Sequence, residues 1–170
     1  MKHINDRDER IYSGSEYLTF RLDKEIFALE AAGILEVIRY RPPTEVPRMP
    51  PWLPGIINLR GSLISVMDPV IIFGMNAPVR KAWFVICEIG NSKDCLPVAM
   101  PVTSVEDVIR VHPDQMVPPP EIGIMVNTDF IRGAIKHGDE LLLLPDMDRL
   151  IRHAEEETAR LTAGQETMAP

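Results

Sequence analysis

The sequence is poor in the residues that build metal sites, disulfides and base-stacking surfaces. Two cysteines and four histidines occur among 170 residues, and aromatic residues make up 6%. No histidine lies at a ligand spacing from a cysteine, an aspartate or another histidine, so we expect no bound metal. Cys87 and Cys95 lie in strand-like runs, where a reduced thiol behaves as a small apolar side chain.

Long apolar runs are also absent. A membrane-spanning helix needs about 20 consecutive apolar residues, and no segment approaches that length, while residues 1–10 are polar and charged. We therefore expect a cytoplasmic protein without direct membrane insertion. The net charge of −7 argues against nucleic acid or anionic lipid as a partner.

No catalytic arrangement is recognisable. The sequence has no glycine-rich phosphate loop, no nucleophile beside a base and no paired carboxylates in a familiar setting. We therefore expect no catalytic residues, no cofactor and no enzymatic activity.

The sequence contains instead a succession of short apolar runs separated by turn residues. Several of the sixteen prolines fall between these runs, where a missing N–H costs no ladder hydrogen bond. The pattern predicts ten strands and hence a mainly β fold. The predicted strands cover residues 17–22, 26–29, 34–38, 55–60, 63–67, 83–89, 96–100, 105–111, 131–135 and 140–144.

One helix is predicted, at the C-terminal end of the sequence. After a possible cap at Asp146, apolar residues recur with a period of 3.6 as far as Leu161. The residues on both sides of the patterned region are small or polar. We therefore expect a polar tail at 1–15, a single domain at 16–161 and a flexible tail at 162–170.

The sequence also repeats itself. Val37-Ile38-Arg39 recurs as Val108-Ile109-Arg110, and a Val-Pro pair follows each copy at the same distance, at 46–47 and at 117–118. Further on, residues 52–57 correspond to 130–135 and residues 63–66 to 141–144. The second copy carries an insertion that contains residues 121–129. Preserved spacing across separate blocks indicates an internal duplication, although chance similarity of short apolar strings is the alternative.

The duplication makes a geometric prediction. The step from Gly55 to Asp68 equals the step from Gly133 to Asp146, so these residues should occupy equivalent places. We expect each half to form a closed barrel of about five strands, because closure removes exposed strand edges.

The string GIINLRGSLISVMD at residues 55–68, preceded by TEVP at 44–47, resembles the signature of the CheW family of chemotaxis coupling proteins. The resemblance extends in order from residue 16 to residue 151. It implies two interleaved SH3-like five-stranded barrels and no active site. It also implies two partners, the regulatory domain of a CheA-like histidine kinase and the cytoplasmic tip of a methyl-accepting chemoreceptor.

The signature also contains the candidate partner-binding residues. Gly61-Ser62 is expected to form a tight turn, with Asn58 and Arg60 outward near its tip. The second half has a different tip, at 136–139, so the barrel itself does not need Arg60. We expect Arg60 to pair with Glu36 on the outer face of the first barrel. The candidate set is Arg60, Glu36, Asn58, Gly55, Gly61 and Gly133.

Some interpretations stay open at this stage. Arg60 could be an ordinary solvated arginine, and the acidic counterpart of Glu36, Asp107, leaves room for a shared structural reason. Pro69 and Pro145 depart from the family pattern, which puts the partner surface near them in doubt. The alternative function is a small β-barrel module that binds a ligand or nucleic acid.

Overall fold

The computed structural model describes residues 14–76, 79–90, 93–121 and 126–166. The expected polar tail at 1–15 therefore lies outside the described residues up to residue 13, and the expected flexible tail at 162–170 lies outside them from residue 167. Within the described ranges the protein is mainly β, as predicted, with a long C-terminal helix.

All ten predicted strands are present, and an eleventh is added. The extra strand has two residues, too few to show a period of two in sequence. The strands are β1 (Ser15–Leu22), β2 (Glu25–Glu30), β3 (Ile34–Arg39), β4 (Gly55–Leu59), β5 (Ser62–Val66), β6 (Trp83–Ile89), β7 (Leu96–Val102), β8 (Ser104–Val111), β9 (Met116–Val117), β10 (Ile131–His137) and β11 (Glu140–Pro145). The helices are α1 (Pro69–Ile72) and α2 (Met147–Glu166).

The strands form two sheets that exchange elements between the sequence halves. Barrel 1 has the strand order β3-β6-β7-β5-β4, and barrel 2 has the order β8-β1-β2-β11-β10-β9. Barrel 1 therefore combines β3, β4 and β5 of the first half with the β6–β7 hairpin of the second half. Barrel 2 combines β8 to β11 of the second half with the β1–β2 hairpin of the first half. The barrels do not coincide with the sequence halves, because β3 pairs with β6 and β8 pairs with β1.

Each sheet is closed by the chain that leaves its outermost strand. In barrel 1 the chain beyond β3 reaches β4 at Thr44, which exchanges two backbone hydrogen bonds of 2.8 and 2.9 Å with Ile56. In barrel 2 the chain beyond β8 reaches β10 through β9, where Val117 lies opposite Ala134. Closure satisfies strand edges that would otherwise be exposed.

The hydrogen-bond register confirms the duplication. Gly55 lies opposite Val66 in barrel 1, and Gly133 lies opposite Leu144 in barrel 2. The segments that follow match as well, since the Asp68 N–H donates to the Trp52 carbonyl (2.8 Å) and the Asp146 N–H donates to the Phe130 carbonyl (2.7 Å).

One detail of the predicted alignment is wrong. The sequence repeat equates Val46 with Val117, but the residue that bridges to β4 is Thr44, two residues earlier. The chain needs a different number of residues to cross the two barrel ends, and a short Val-Pro match does not reveal that difference.

Three apolar clusters hold the protein together. One cluster lies inside barrel 1 around Phe84 and Ile86, and a second lies inside barrel 2 around Tyr17 and Ile135. The third and largest joins the two barrels and contains residues from both sheets, Phe27 among them. The two barrels therefore share a core at their junction and are not separate globules.

Helix α2 begins as predicted and ends later. The carboxylate of Asp146 accepts a hydrogen bond from the Arg149 N–H at 3.0 Å, which caps the first turn. Leu150 and Ala154 are buried, whereas Leu161 is 52% exposed. Residues 162–166 continue the helix, so the predicted end at Leu161 is too early; these residues include no proline, and a single glycine such as Gly164 is tolerated within a helix.

The two cysteines should differ sharply in reactivity. Burial raises the pKa of the Cys87 thiol to about 12, so at pH 8 only about one molecule in ten thousand carries the thiolate that reacts. Cys95 is exposed. We expect iodoacetamide at pH 8 to label one cysteine in the native protein and two in denaturant, as counted by mass spectrometry. Native labelling of Cys87 at a rate similar to that of Cys95 would contradict its burial.

Candidate functional site

The hairpin that joins β4 to β5 ends in a strained two-residue turn. The last strand pair is Leu59 with Ser62, so the turn consists of Arg60 and Gly61 and not of Gly61 and Ser62 as predicted. Both residues have positive φ, 52° and 86°, as a type I′ turn requires. An L-residue in this left-handed region costs about 1–2 kcal/mol relative to glycine. Arg60 therefore occupies a position that glycine would fill more easily.

Arg60 forms the predicted ion pair with Glu36. Its two terminal nitrogens donate to the two carboxylate oxygens at 2.9 and 2.6 Å, which is a bidentate contact. The Arg60 side chain is 76% exposed and the Glu36 side chain 25%. The carboxylate therefore fixes a guanidinium that remains open to solvent.

The pair lies across the end of barrel 1, whereas the sequence predicted it on the outer face. Glu36 is opposite Ile86 of β6, whose side chain is buried inside the barrel. Side chains of directly opposed residues project from the same face of a sheet. Glu36 therefore projects from the inner side of β3, and Arg60 reaches it from the hairpin tip.

Two further contacts brace the turn. The Asn58 side-chain oxygen accepts a hydrogen bond from the Gly61 N–H at 2.9 Å. The Arg41 guanidinium donates to the Asn58 carbonyl. The structure thus brings Glu36, Asn58, Arg60 and Gly61 together in one exposed cluster, and it adds Arg41, which sequence analysis did not single out.

Gly55 and Gly133 lie elsewhere, at the two barrel closures. A β-carbon built on Gly55 would lie 2.2 Å from the Thr44 carbonyl oxygen, and one built on Gly133 would lie 3.2 Å from the Val117 carbonyl oxygen. Both glycines are buried. They let the closing segment approach β4 and β10 closely, so their direct role is in barrel geometry.

The second barrel has no counterpart of the Arg60–Glu36 pair among the residues that the structure describes. The duplication places Gly138 at the position of Arg60, and Gly138 has a φ of 61°. Asp107, the counterpart of Glu36, accepts a hydrogen bond from the Val108 N–H at 2.8 Å. A left-handed first turn residue is thus common to both barrels, whereas the arginine at that position is specific to barrel 1.

A different ion cluster lies in barrel 2. Arg21 of β1 contacts Glu106 of β8 and Glu140 of β11. The hydrogen bond with Glu106 is the main reason that the pKa of Arg21 is raised. One arginine facing two glutamates leaves an excess of negative charge.

A cleft of about 220 Å³ lies at the junction of the barrels. Its floor is apolar, with Leu29, Ile34 and Met147, and its rim is charged. On the rim, Arg132 lies 3.3 Å from Glu30. Burial, with a smaller contribution from Glu30, raises the pKa of the nearby Tyr17 hydroxyl.

The described ranges contain no group of three or more His, Cys, Asp or Glu residues that could hold a metal ion. No helix in those ranges is long and apolar enough to cross a membrane. The fold and the site together define a module of paired SH3-like barrels, with fixed polar groups at one barrel end and a cleft between the barrels.

The chain belongs to the CheW-like domain family, whose model matches residues 16–155. A probable chemotaxis protein CheW of Rhizobium etli is 25% identical over 161 residues, covering 94% of this chain and 97% of that protein. The chemotaxis protein CheW of Klebsiella aerogenes is 25% identical over 142 residues, covering 84% of each chain.

A solved structure supports the same assignment. The scaffolding protein TtCheW of Thermoanaerobacter tengcongensis superposes with a TM-score of 0.69 at 27% identity, covering 81% of this chain and 92% of that chain. The resemblance noted in the sequence is confirmed, and the protein is a CheW-family adaptor of chemotaxis signalling.

Proposed function

We propose that this protein couples the cytoplasmic tip of a methyl-accepting chemoreceptor to the regulatory domain of a CheA-like histidine kinase, without catalysing a reaction. The observation that carries the proposal is the exposed Arg60 guanidinium, fixed by Glu36 at the end of barrel 1. Its proposed partners are cytoplasmic, so we assign the adaptor to the cytoplasm.

The energetics favour binding over stability as the reason for this arrangement. An exposed ion pair contributes about 0–1 kcal/mol, and the left-handed backbone of Arg60 costs about 1–2 kcal/mol. The two effects offset each other, so barrel 1 gains little from the arginine. Strain that persists without a stability gain is typical of functional positions. The side chain also loses its conformational freedom before a partner arrives, which favours binding.

The cleft between the barrels suits the receptor. A helix docks into a groove that has an apolar floor and a polar rim. Leu29, Ile34 and Met147 supply such a floor, and Glu30 and Arg132 supply part of the rim. We therefore assign the cleft to a helix of the receptor tip.

The barrel ends suit the kinase domain, which the family resemblance gives the same fold. Arg60 and Arg41 at the end of barrel 1 carry positive charge, whereas the Arg21 cluster of barrel 2 carries more carboxylates than arginines. We therefore propose that the end of barrel 1 contacts a negatively charged barrel end of the kinase domain. Gly55 and Gly133 contribute by fixing the barrel closures.

Replacing Arg60 tests the proposal. Arg60→Ala should weaken binding of the receptor tip fragment or of the kinase regulatory domain by about 1.5–3 kcal/mol, the scale of a lost charge-assisted hydrogen bond. The thermal midpoint should hardly change. Arg60→Lys should restore only part of the affinity, because an ammonium cannot form a bidentate contact. Calorimetric titration with both fragments measures these effects.

Arg60→Gly and Arg152→Ala are the matched controls. Glycine relieves the left-handed strain, so Arg60→Gly should be at least as stable as the parent and still bind poorly. Arg152 is exposed on α2, and Arg152→Ala should bind normally. Unchanged affinity of Arg60→Ala for both fragments would reduce Arg60 to an ordinary surface residue.

The alternative, a barrel that binds a ligand or nucleic acid directly, has less support. Such barrels combine aromatic with basic side chains, whereas this chain is 6% aromatic and carries a net charge of −7. Tight, salt-sensitive binding of single-stranded oligonucleotides would favour the alternative.

A further inference from the structure

The cleft between the barrels continues along one side of α2. It shares Asp148 with a second cavity of about 310 Å³, and that cavity shares Glu155 with a third of about 580 Å³. We refer to the second and third cavities together as the α2 groove. Residues spaced three or four apart occupy one side of a helix, and the α2 residues that line the groove have this spacing. They are Asp148, Ile151, Arg152, Glu155, Thr158, Ala159, Thr162 and Ala163.

The wall of the groove opposite α2 belongs to barrel 1. Leu96 begins β7 and lies directly opposite Ile89 of β6, and the next pair on the same face of the sheet is Cys87 with Val98. Cys87 and Val98 lie in the cluster that joins the barrels, so Leu96 and Ile89 project on that side as well. Trp52 supplies the wall farther along α2. Strand register and cavity lining therefore agree on which side chains face α2.

Large apolar side chains remain uncovered beside this groove. Leu96 is 67% exposed. Leu161 follows Leu150 by eleven residues, which is about three helical turns, yet Leu161 is 52% exposed and Leu150 is buried. The second half of α2 therefore extends past the part of the protein that buries its apolar face. Uncovered apolar surface with a polar rim is typical of a protein interaction site.

The length and charge of the groove indicate what fits it. From Asp148 to Ala163 the groove follows about 22 Å of helix, the length of a partner helix of about 15 residues. A helix with lysine or arginine beside its apolar stripe complements a lining that is mostly acidic, whereas a second copy of this chain would bring the same acidic residues. The charged residues that line the cleft and the groove are Glu30, Glu88, Asp94, Asp146, Asp148 and Glu155, with Arg132 and Arg152.

We propose that the α2 groove extends the receptor site, so that a basic amphipathic helix of the receptor tip lies in the cleft and continues along α2 as far as Trp52. The proposal rests on the proposed function, which assigns the cleft to a receptor helix. It adds the second half of α2 to the binding surface and gives the receptor helix a sign of charge.

Two neighbouring glutamates test the charge preference. Glu155 lines the groove, whereas Glu156 is also exposed but lines neither cavity. Glu155→Lys should weaken binding of the receptor tip fragment about tenfold, because it places like charges together, and Glu156→Lys should change the affinity less than twofold. The difference should shrink as the salt concentration rises. Arg152→Ala should not weaken binding, since it removes a charge of the same sign as that of the helix. Calorimetric titration measures all three variants.

Two other neighbouring residues test the shape of the groove. Ala159→Tyr fills the space beside Trp52 and should weaken binding of the receptor tip fragment about tenfold. Arg160 is exposed and lines neither cavity, so Arg160→Tyr should bind like the parent. Both changes add a side chain at an exposed helix position, so the thermal midpoint should stay near that of the parent. In the parent, bound fragment should also slow amide hydrogen exchange at residues 155–163.

The outcomes separate this inference from the proposed function. Equal affinities within both variant pairs, with no slowing of exchange in α2, would confine the receptor to the cleft; the groove would be wrong and the adaptor function would stand. A loss in Ala159→Tyr without any difference between the two lysine variants would overturn the basic character of the helix. A dimer of the parent that Ala159→Tyr converts to a monomer in sedimentation would identify the occupant as a second copy and overturn the assigned partner. If the receptor tip fragment does not bind the parent chain, the proposed function itself fails and the groove assignment fails with it.

Discussion

Lys81→Met is expected to lower the free energy of unfolding by about 3 kcal/mol, because it leaves a buried carboxylate without its counter-charge. The Lys81 ammonium lies 2.6 Å from the Asp68 carboxylate, whose side chain is only 5% exposed. The same carboxylate caps α1 by accepting the Val70 N–H at 3.1 Å. Urea denaturation followed by circular dichroism measures the loss.

The duplication supplies a matched control for this effect. Asp146, the counterpart of Asp68, lies 3.5 Å from Arg149, and that arginine is 60% exposed. Arg149→Ala should therefore cost no more than about 1 kcal/mol, as exposed pairs do. The double variant Asp68→Asn with Lys81→Met should be more stable than Lys81→Met alone, because no charge remains buried. A small effect of Lys81→Met, equal to that of Arg149→Ala, would show that Asp68 is hydrated in solution.

Gly55→Ala is expected to lower the free energy of unfolding by a similar or larger amount than Lys81→Met. The added carbon would lie 2.2 Å from the Thr44 carbonyl oxygen, a distance that the backbone must relieve by moving. Overpacking costs about 1–3 kcal/mol, and the two Thr44–Ile56 hydrogen bonds contribute about 1 kcal/mol each. We therefore expect a loss of about 3–5 kcal/mol, measured by the same denaturation experiment.

Two other glycines make the comparison specific. Gly133→Ala places its carbon 3.2 Å from the Val117 carbonyl oxygen, and Gly138→Ala meets nothing within 4 Å but keeps a φ of 61°. Each substitution should lower the free energy of unfolding by about 1 kcal/mol. The cause is slight crowding for Gly133→Ala and an unfavourable backbone conformation for Gly138→Ala. If Gly133→Ala proved as damaging as Gly55→Ala, close approach of the closing segment could not be the cause.

Local pattern predicted the strands well, and the duplication predicted the equivalence of the β4–β5 and β10–β11 hairpins. The pairing of β3 with β6 and of β1 with β8, across the two halves, was not predicted. The ten apolar runs have the lengths and turn residues of strands, and the equal steps from Gly55 to Asp68 and from Gly133 to Asp146 reflect equal registers. Prediction worked here because alternation and spacing are properties of neighbouring residues. The candidate pair of Arg60 and Glu36 came from family resemblance together with this alternation; the structure confirms the contact but places it across the barrel end and not on the outer face.

Features that depend on long-range geometry were not predictable in the same way. The turn is shifted by one residue, because Arg60 adopts the conformation that glycine usually supplies. The Asp68–Lys81 pair joins residues on either side of α1 and the loop after it; Asp68 ends the family signature, but nothing in the sequence marks Lys81 as its partner. Arg41 was missed because its contact is with the backbone of Asn58 and not with an acidic side chain.

The exchange of strands between the sequence halves determines the order in which the barrels can form during synthesis. All strands of barrel 1 lie between residues 34 and 102, so this barrel can close before β8 has been made. Barrel 2 needs β1 and β2 from the start of the chain and β11 from its end. The first hairpin, whose Phe27 packs in the cluster that joins the barrels, therefore cannot complete its sheet until β11 has emerged from the ribosome.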